Sequence, residues 1–165
     1  DNYIRFPFHD IILTHLHVGK DGTKMQQDGH ESHISQFFIM LHTSTSLGSH
    51  QIASEEPELS WNAIDGAEEY VIYMIDTSAN NWLHWRVSGL TDTHLDPGSQ
   101  AGEYVGPYPP SGTHTYIIKV YALSAPPLSL PGNFDATNED NLSFIDEGLS
   151  NIITSAEISG TFTAQ

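Results

Sequence analysis

The sequence contains no cysteine among its 165 residues. This absence excludes disulfide bonds, thiolate nucleophiles and cysteine-ligated zinc sites. Basic residues are also scarce, with 5 Lys plus Arg against 21 Asp plus Glu and a formal net charge of -16. Such a charge repels nucleic acid and anionic membranes, so we expect neither as a partner. No run approaches the roughly 20 apolar residues of a membrane-spanning helix, so no transmembrane segment is predicted.

The length fits a single domain, 1–165, that is large enough to bury a hydrophobic core. The chain begins at Asp1 and not at Met, and a removed leader sequence is one explanation. Together with the acidic charge, this favours an extracellular or cell-envelope location over a cytoplasmic one.

Strand-like segments dominate the chain. Alternating or β-branched runs, separated by turn signals such as Asp65-Gly66, predict strands at 11–18, 34–45, 59–61, 69–76, 83–87, 115–123 and 156–163. Many strands, frequent turns and a single late helix predict a mainly β fold. We expect an antiparallel Greek-key β-sandwich with one C-terminal helix and long loops.

The helix is predicted from a capping signal and from apolar spacing. Thr137 is followed three residues later by Asp140, an arrangement that resembles a capping box with Thr137 as the N-cap. Apolar residues then recur at helical spacing, at positions 142, 145, 149 and 152/153.

Two parts of the chain offer polar groups for binding. Asp76 ends a hydrophobic strand just before the polar loop 77–81, and His84 follows that loop. This hairpin predicts a carboxylate beside an imidazole, a pairing that would define the imidazole tautomer. The Pro/Gly-rich stretch 97–112 predicts a stiff loop whose backbone N–H groups can face an anion, supplemented by Tyr104, His114 and Tyr116.

These segments resemble the phosphatidylethanolamine-binding protein family, whose bacterial members are called Raf kinase inhibitor-like proteins. The likeness rests on five features in the family's order: Leu59-Ser60-Trp61, Asp76 after a hydrophobic strand, His84-Trp85, the run Tyr104–Pro110 and the run Gly112–Tyr116. It extends from about Leu59 to Phe162, and residues 1–58 form a divergent N-terminal part.

The resemblance implies a β-sandwich with an anion pocket at one end. In the family this pocket holds phosphate, the phosphoryl head group of a phospholipid or a small carboxylate. Carried over residue by residue, the ligand-binding positions are Asp76, His84, Tyr104, Gly106, Pro107, His114 and Tyr116. The resemblance implies a binding or regulatory protein without enzyme activity or cofactor, and it makes a homodimer plausible.

The sequence departs from the family's pattern in two places. A usual Asp-Pro-Asp-x-Pro is replaced by 76–80 (DTSAN), a softer polar loop. A usual His-Arg-Tyr is replaced by 114–116 (HTY), which removes one cation. Because side chains in a strand alternate with a period of two, Arg86 is expected to share a face with His84, and we predict that it supports the pocket.

Two further histidine pairs do not predict a metal site. His15 and His17 lie on a predicted strand with both rings on one face, and His30 and His33 lie in a polar loop. Neither pair has an acidic residue at an evident ligand spacing, and the chain has no cysteine.

Two alternatives stay open. A fibronectin-type III-like adhesion or spacer module without a ligand pocket would use 59–73 and 112–123 as strands, but its usual length of about 100 residues leaves the first part unexplained. A hydrolase or isomerase could use an Asp–His pair as a general base. However, the sequence contains no nucleophile elbow, phosphate-binding Walker loop or His-Glu-x-x-His motif, so enzyme activity is not expected.

Overall fold

The computed structural model describes residues 39–42, 55–99 and 101–164, the first of these segments by its backbone alone. The described elements are β1 (Ile39–His42), β2 (Glu58–Trp61), β3 (Glu69–Asp76), β4 (Trp82–Leu90), β5 (His94–Leu95), β6 (Glu103–Tyr104), β7 (Thr113–Leu123), α1 (Asn141–Gly148) and β8 (Ile152–Thr163). The predicted strand 11–18 and the histidine pairs at 15/17 and 30/33 lie outside the described residues.

The strands form two sheets. The larger sheet has five strands in the order β6-β4-β3-β7-β8, and the smaller has three in the order β1-β2-β5. Every pairing between these strands is antiparallel. The prediction of a mainly β, antiparallel sandwich is therefore confirmed.

Strand β3 lies at the centre of the larger sheet, and all eight of its residues are buried. On one face Ile72 belongs to a core that includes Leu59 of the smaller sheet. On the other face Tyr73 belongs to a second core that includes Ile145 of α1. A strand buried on both faces is apolar through its interior, here 70–75, which explains why its bounds, 69–76, were predicted to the residue.

The helix begins later than the capping box predicted. Asn141 is its first residue, Asp140 occupies the N-cap position without a side-chain cap, and Thr137 lies outside the helix. Asn138 forms a turn instead: its Oδ1 accepts the Asp140 N–H at 3.0 Å, and its backbone oxygen accepts the Asn141 N–H at 2.9 Å. This Asx-type turn supplies local acceptors, so the predicted N-cap at Thr137 is wrong.

The helix also ends earlier than predicted. Its last residue is Gly148, and Ile152 and Ile153, whose spacing fitted the helix, belong to β8. Leu149, the residue after the helix, has an extended backbone with φ of -79° and ψ of 121°, which ends the helical path before the strand starts. In the segments that the structure describes, no helix combines the length and the apolar character needed to cross a bilayer.

Candidate functional site

Asp76 is the last residue of β3, and its side chain is 3% exposed. Its Oδ2 accepts a hydrogen bond from His114 Nδ1 at 2.6 Å. Its Oδ1 accepts the backbone N–H groups of Ser78 at 2.8 Å and Ala79 at 3.1 Å. Burying an ionised carboxylate is costly unless donors surround it, and these three donors meet that requirement.

The loop after Asp76 is braced against β7. The Thr77 N–H and the Thr77 hydroxyl both donate to the Thr115 carbonyl, at 2.9 and 3.1 Å. The Thr115 N–H donates to Ser78 Oγ at 2.9 Å. Asn80 and Asn81 adopt φ of 54° and 55°, a conformation that asparagine tolerates in turns. The two departures from the family's sequence pattern therefore contact each other and replace proline stiffness with hydrogen bonds.

His84, in β4, has its hydrogen-bond partner elsewhere than predicted. Its Nδ1 lies 2.9 Å from the Val105 carbonyl oxygen, whereas the histidine bonded to Asp76 is His114. The sequence predicted a direct pairing of the Asp76 carboxylate with the His84 imidazole, and the structure does not form that hydrogen bond. In the antiparallel pairing of β3 with β4, Asp76 lies opposite Trp82. The His84 ring is buried and contacts the Tyr116 ring edge-on, with 5.3 Å between centroids.

The protonation of the two imidazoles follows from their partners. A carbonyl or carboxylate oxygen can only accept, so Nδ1 carries the hydrogen in both His84 and His114. Burial lowers the pKa of His84, an effect that its backbone hydrogen bonds with Val105 and Gly106 and the Asp76 carboxylate partly oppose. The His84 ring is therefore neutral near pH 7.

A β-bulge decides which side chains of β4 face the site. Between two consecutive residues of β3 the pairing in β4 jumps from Leu83 to Trp85, which leaves His84 as the extra residue. His84 and Trp85 therefore face the same side of the sheet, and Arg86 faces the other. Period-two alternation does not hold across a bulge.

Arg86 accordingly lies outside the site. Its guanidinium forms an ion pair with Glu103 and donates to the carbonyl oxygens of Leu130 at 3.2 Å and Gly132 at 3.1 Å. These partners lie on the face that carries α1. The expectation that Arg86 shares a face with His84 is wrong, because the bulge shifts the alternation by one residue.

Two buried donors at the site lack acceptors. The Tyr116 hydroxyl and the Trp82 indole N–H have no hydrogen-bond partner within the described segments. Burial and the nearby Asp76 carboxylate raise the pKa of Tyr116, so its hydroxyl keeps its proton. Each buried donor without an acceptor costs about 1–3 kcal/mol unless a water or ligand accepts from it.

The sequence reasoning missed Trp82. Its ring lies 6.1 Å from the His84 ring, between centroids, and its indole N–H is buried. Tryptophan is most often a core or rim residue, and for that reason it was not singled out. The available signal was its spacing of two residues from His84, which within a strand indicates a common face.

The remaining predicted residues form the flank of the site. Gly106 and Pro107 are buried and directly follow Val105, whose carbonyl holds His84. Tyr104 is half-buried, and its ring packs edge-on against Trp85 with 5.7 Å between centroids. Burial raises the pKa of Tyr104, so its hydroxyl is also neutral. Tyr104 therefore packs on the hydrophobic core, close enough to Tyr116 to contribute to its raised pKa.

The described residues contain no group of three or more His, Asp or Glu side chains arranged to hold a metal ion. The site is thus built from one carboxylate, two imidazoles and neutral donors. Such a set can bind a small ligand through short hydrogen bonds.

The family comparison covers most of the chain. The family model described as Phosphatidylethanolamine-binding protein matches residues 30–163. The chain belongs to the phosphatidylethanolamine-binding protein family. The match also extends into the N-terminal part, where the sequence motifs showed little likeness.

Two solved structures are similar to this family member. A putative phosphatidylethanolamine-binding protein homolog, CT736 from Chlamydia trachomatis, is 25% identical with a TM-score of 0.51, and the alignment covers 67% of this chain and 82% of that one. Escherichia coli YbcL, described as a new member of the mammalian family, is 20% identical with a TM-score of 0.57, and the alignment covers 78% of this chain and 99% of that one. The second likeness is one of fold.

Proposed function

We propose that this family member is a non-catalytic binding protein that holds a small anion in the site around Asp76, His84, His114 and Tyr116. The anion is phosphate, the phosphoryl part of a head group, or a carboxylate. One observation supports this most strongly: buried donors without an acceptor lie beside the Asp76–His114 pair. They are the Tyr116 hydroxyl and the Trp82 indole N–H, whose residues lie opposite Asp76 in β7 and β4.

The charge of the protein restricts how the ligand is held. With a formal net charge of -16, the protein repels an approaching anion at long range. Affinity must come from hydrogen bonds at contact distance. The Tyr116 hydroxyl and the Trp82 indole N–H are the buried donors that still need acceptors, and an anion oxygen would satisfy them.

A binding role is better supported than a catalytic one. The Asp76–His114 pair has the arrangement of a carboxylate that orients a general base. However, neither imidazole is hydrogen-bonded to a serine or threonine hydroxyl within the described part of the chain, so a nucleophile for acyl transfer is missing there. A buried carboxylate–imidazole pair that has no nucleophile beside it is consistent with a role in ligand binding.

The alternative of a fibronectin-type III-like module receives no support from the comparisons, because the chain belongs to another family. That alternative also required Asp76, His84 and His114 to be scattered. Instead a chain of contacts links them, from the His84 ring to Tyr116, from Tyr116 to its register partner Asp76, and from Asp76 to His114.

A phosphate titration followed by NMR of the imidazole nitrogens tests the proposal. We expect saturable shifts of the Nε2 signals of His84 and His114. His94, which lies on the smaller sheet and pairs with Asp96 at 3.1 Å, serves as the internal control. If neither site histidine responds to phosphate or acetate at any pH at which the protein is folded, the proposed function is refuted.

A further inference from the structure

We infer that Asn141, the first residue of α1, is a positioning residue for the candidate site. It holds the end of the loop 77–81 and thereby sets the position of Trp82, the residue opposite Asp76 in β4. This role rests on the proposed function, and it adds a residue of the helix that acts on the site through the loop.

The Asn141 side chain joins two separate segments to the start of α1. The residue is fully buried, its Nδ2 donates to the Asn81 carbonyl oxygen at 2.8 Å, and its Oδ1 accepts the Asn133 N–H at 3.0 Å. A carboxamide offers a donor and an acceptor, and both are used here. Because a buried polar group without a partner is costly, these two hydrogen bonds favour one arrangement of both segments.

Asn81 is anchored to the helix side through its own side chain as well. Its Nδ2 donates to the Glu139 carbonyl oxygen at 2.7 Å. Asn80 and Asn81 both have positive φ, the pattern of a type I′ hairpin turn, and such a turn sets the register in which the next strand leaves it. The last residue of the turn is therefore fixed by contacts with the start of the helix.

The segment that precedes α1 also holds the beginning of β4. The Leu83 N–H donates to the Ala136 carbonyl oxygen at 3.2 Å, and the Leu83 carbonyl oxygen accepts the Asp135 N–H at 2.9 Å. Trp82 lies between two residues, Asn81 and Leu83, that are each bonded to this side of the molecule. Its backbone position therefore depends on the start of the helix and the segment before it.

The other end of the loop belongs to the candidate site itself. Its first backbone N–H groups are bonded to Asp76, and its last residue, Asn81, is bonded to the helix. Trp82 follows directly, with its ring 6.1 Å from the His84 ring and its indole N–H buried without a partner among the described residues. A shift of Asn81 would therefore move this donor relative to Asp76.

The variant Asn141→Asp tests the contact without changing the shape of the side chain. An ionised carboxylate still accepts the Asn133 N–H but meets the Asn81 carbonyl as a second acceptor, whereas the protonated acid regains a donor. From about pH 8.5 to about pH 5, we expect its phosphate affinity by calorimetry to rise from about tenfold below wild type to within about threefold. An affinity equal to that of the wild-type protein at every pH would overturn the role of Asn141.

The variant Tyr73→Phe is the matched control for a general loss of stability. It removes the hydroxyl that donates to the Pro131 carbonyl oxygen at 3.1 Å, a bond to the segment before α1 that does not involve the loop. We expect a lower urea midpoint but a phosphate affinity within about twofold of wild type. If Tyr73→Phe lost as much affinity as Asn141→Asp, loosening of the whole helix side would replace positioning as the explanation.

The variant Asn81→Gly addresses the same contact if Asn141→Asp does not fold. Glycine keeps the carbonyl and adopts positive φ without strain, and Asn-Gly is a favoured pair in this type of turn. The substitution removes only the donor to Glu139, so we expect an affinity about threefold below wild type. Wild-type affinity in Asn81→Gly would show that the helix contacts of the loop do not affect the site.

NMR of the indole N–H groups without ligand separates this role from the proposed function. We expect the Trp82 signal to move in Asn141→Asp at alkaline pH and to return at acidic pH. The signal of Trp85, whose indole N–H donates to the Ala101 carbonyl oxygen at 2.8 Å, should stay in place. A stationary Trp82 signal overturns the positioning role even if phosphate binds. Absence of phosphate binding by the wild-type protein refutes the proposed function, and the indole signals still decide whether Asn141 positions Trp82.

Discussion

Two aspartates, one in the larger sheet and one on the helix that packs against it, illustrate how different polar clusters can be. Asp146, on α1, accepts from Lys119 Nζ at 2.7 Å and from the Tyr121 hydroxyl at 2.6 Å. Lys119 also lies over the Tyr121 ring, 5.2 Å from its centroid. This Asp146 cluster joins the helix to β7, and its side chains all contact one another.

The Asp76 cluster, on the opposite face, is organised differently. Asp76 is satisfied by three donors, but two groups around it are not, since the Tyr116 hydroxyl and the Trp82 indole N–H remain unpaired among the described residues. Both clusters contain a carboxylate and an aromatic hydroxyl. The difference between them is spare hydrogen-bonding capacity, and this capacity, more than charge, marks a binding site.

The same substitution at both aspartates gives the sharpest comparison. Asp76→Asn removes a buried charge from its imidazole partner, so we expect a loss of about 3 kcal/mol in the free energy of unfolding and at least a tenfold loss of phosphate affinity. Urea denaturation and calorimetry measure the two effects. Asp146→Asn is the control, and an equal response of both variants would contradict the distinction drawn between the clusters.

Substitution of Arg86 should have the next largest effect, and this effect should concern the stability of the fold and not binding. Arg86→Met removes donors to Leu130, Gly132 and Glu103, so we expect a loss of about 2 kcal/mol in the free energy of unfolding. Phosphate affinity should change by less than about threefold, because screening weakens the influence of a charge on the far face of the sheet. A tenfold loss of affinity in a folded Arg86→Met protein would show that Arg86 contributes to the binding site.

Asp146→Asn should have a smaller effect of its own. The carboxylate is 49% exposed, so its ion pair with Lys119 is partly screened, and we expect a loss of about 1 kcal/mol on unfolding by urea. The anion affinity should stay at the wild-type value. A measurable change in phosphate binding would show that the two faces of the sheet are coupled.

His84 should make a small contribution to the pH dependence of the free energy of unfolding. Its pKa is lowered in the folded state, so below about pH 6.5 the unfolded chain binds this proton more readily. Stability should therefore fall as the pH drops from 6.5 towards the lowered pKa, by at most about 1.4 kcal/mol per pH unit for one group. His84→Gln should flatten this part of the curve, and parallel curves for both proteins would contradict the assignment.

Residues with local signals were predicted well. The apolar run of β3 and the polar loop after it located Asp76 at a strand end, and the sequence motifs located His84, His114 and Tyr116. The helix bounds were less accurate, because the Asn138 side chain forms a turn where a cap at Thr137 was expected. Competing local acceptors differ little in free energy, so a motif alone does not decide between them.

The hydrogen-bonded pairs inside the site could not be predicted from the order of residues along the chain. A hairpin argument placed Asp76 beside His84, but β3 has two neighbours, and on its other side Asp76 lies opposite Tyr116 of β7. That register brings His114, two residues away on the same face, to the carboxylate. Trp82 was missed because nothing local shows that its indole N–H is buried without an acceptor.

The order of apolar and polar residues was enough to predict the sandwich, because alternation and turn chemistry are local properties, and the resemblance of the motifs to the family pointed to the residue types at one end of the sheet. Only the tertiary structure decided which imidazole meets the carboxylate, which buried donors stay unpaired and which way Arg86 points. Strand register and a single-residue bulge control those outcomes, and both arise from packing between segments far apart in the chain.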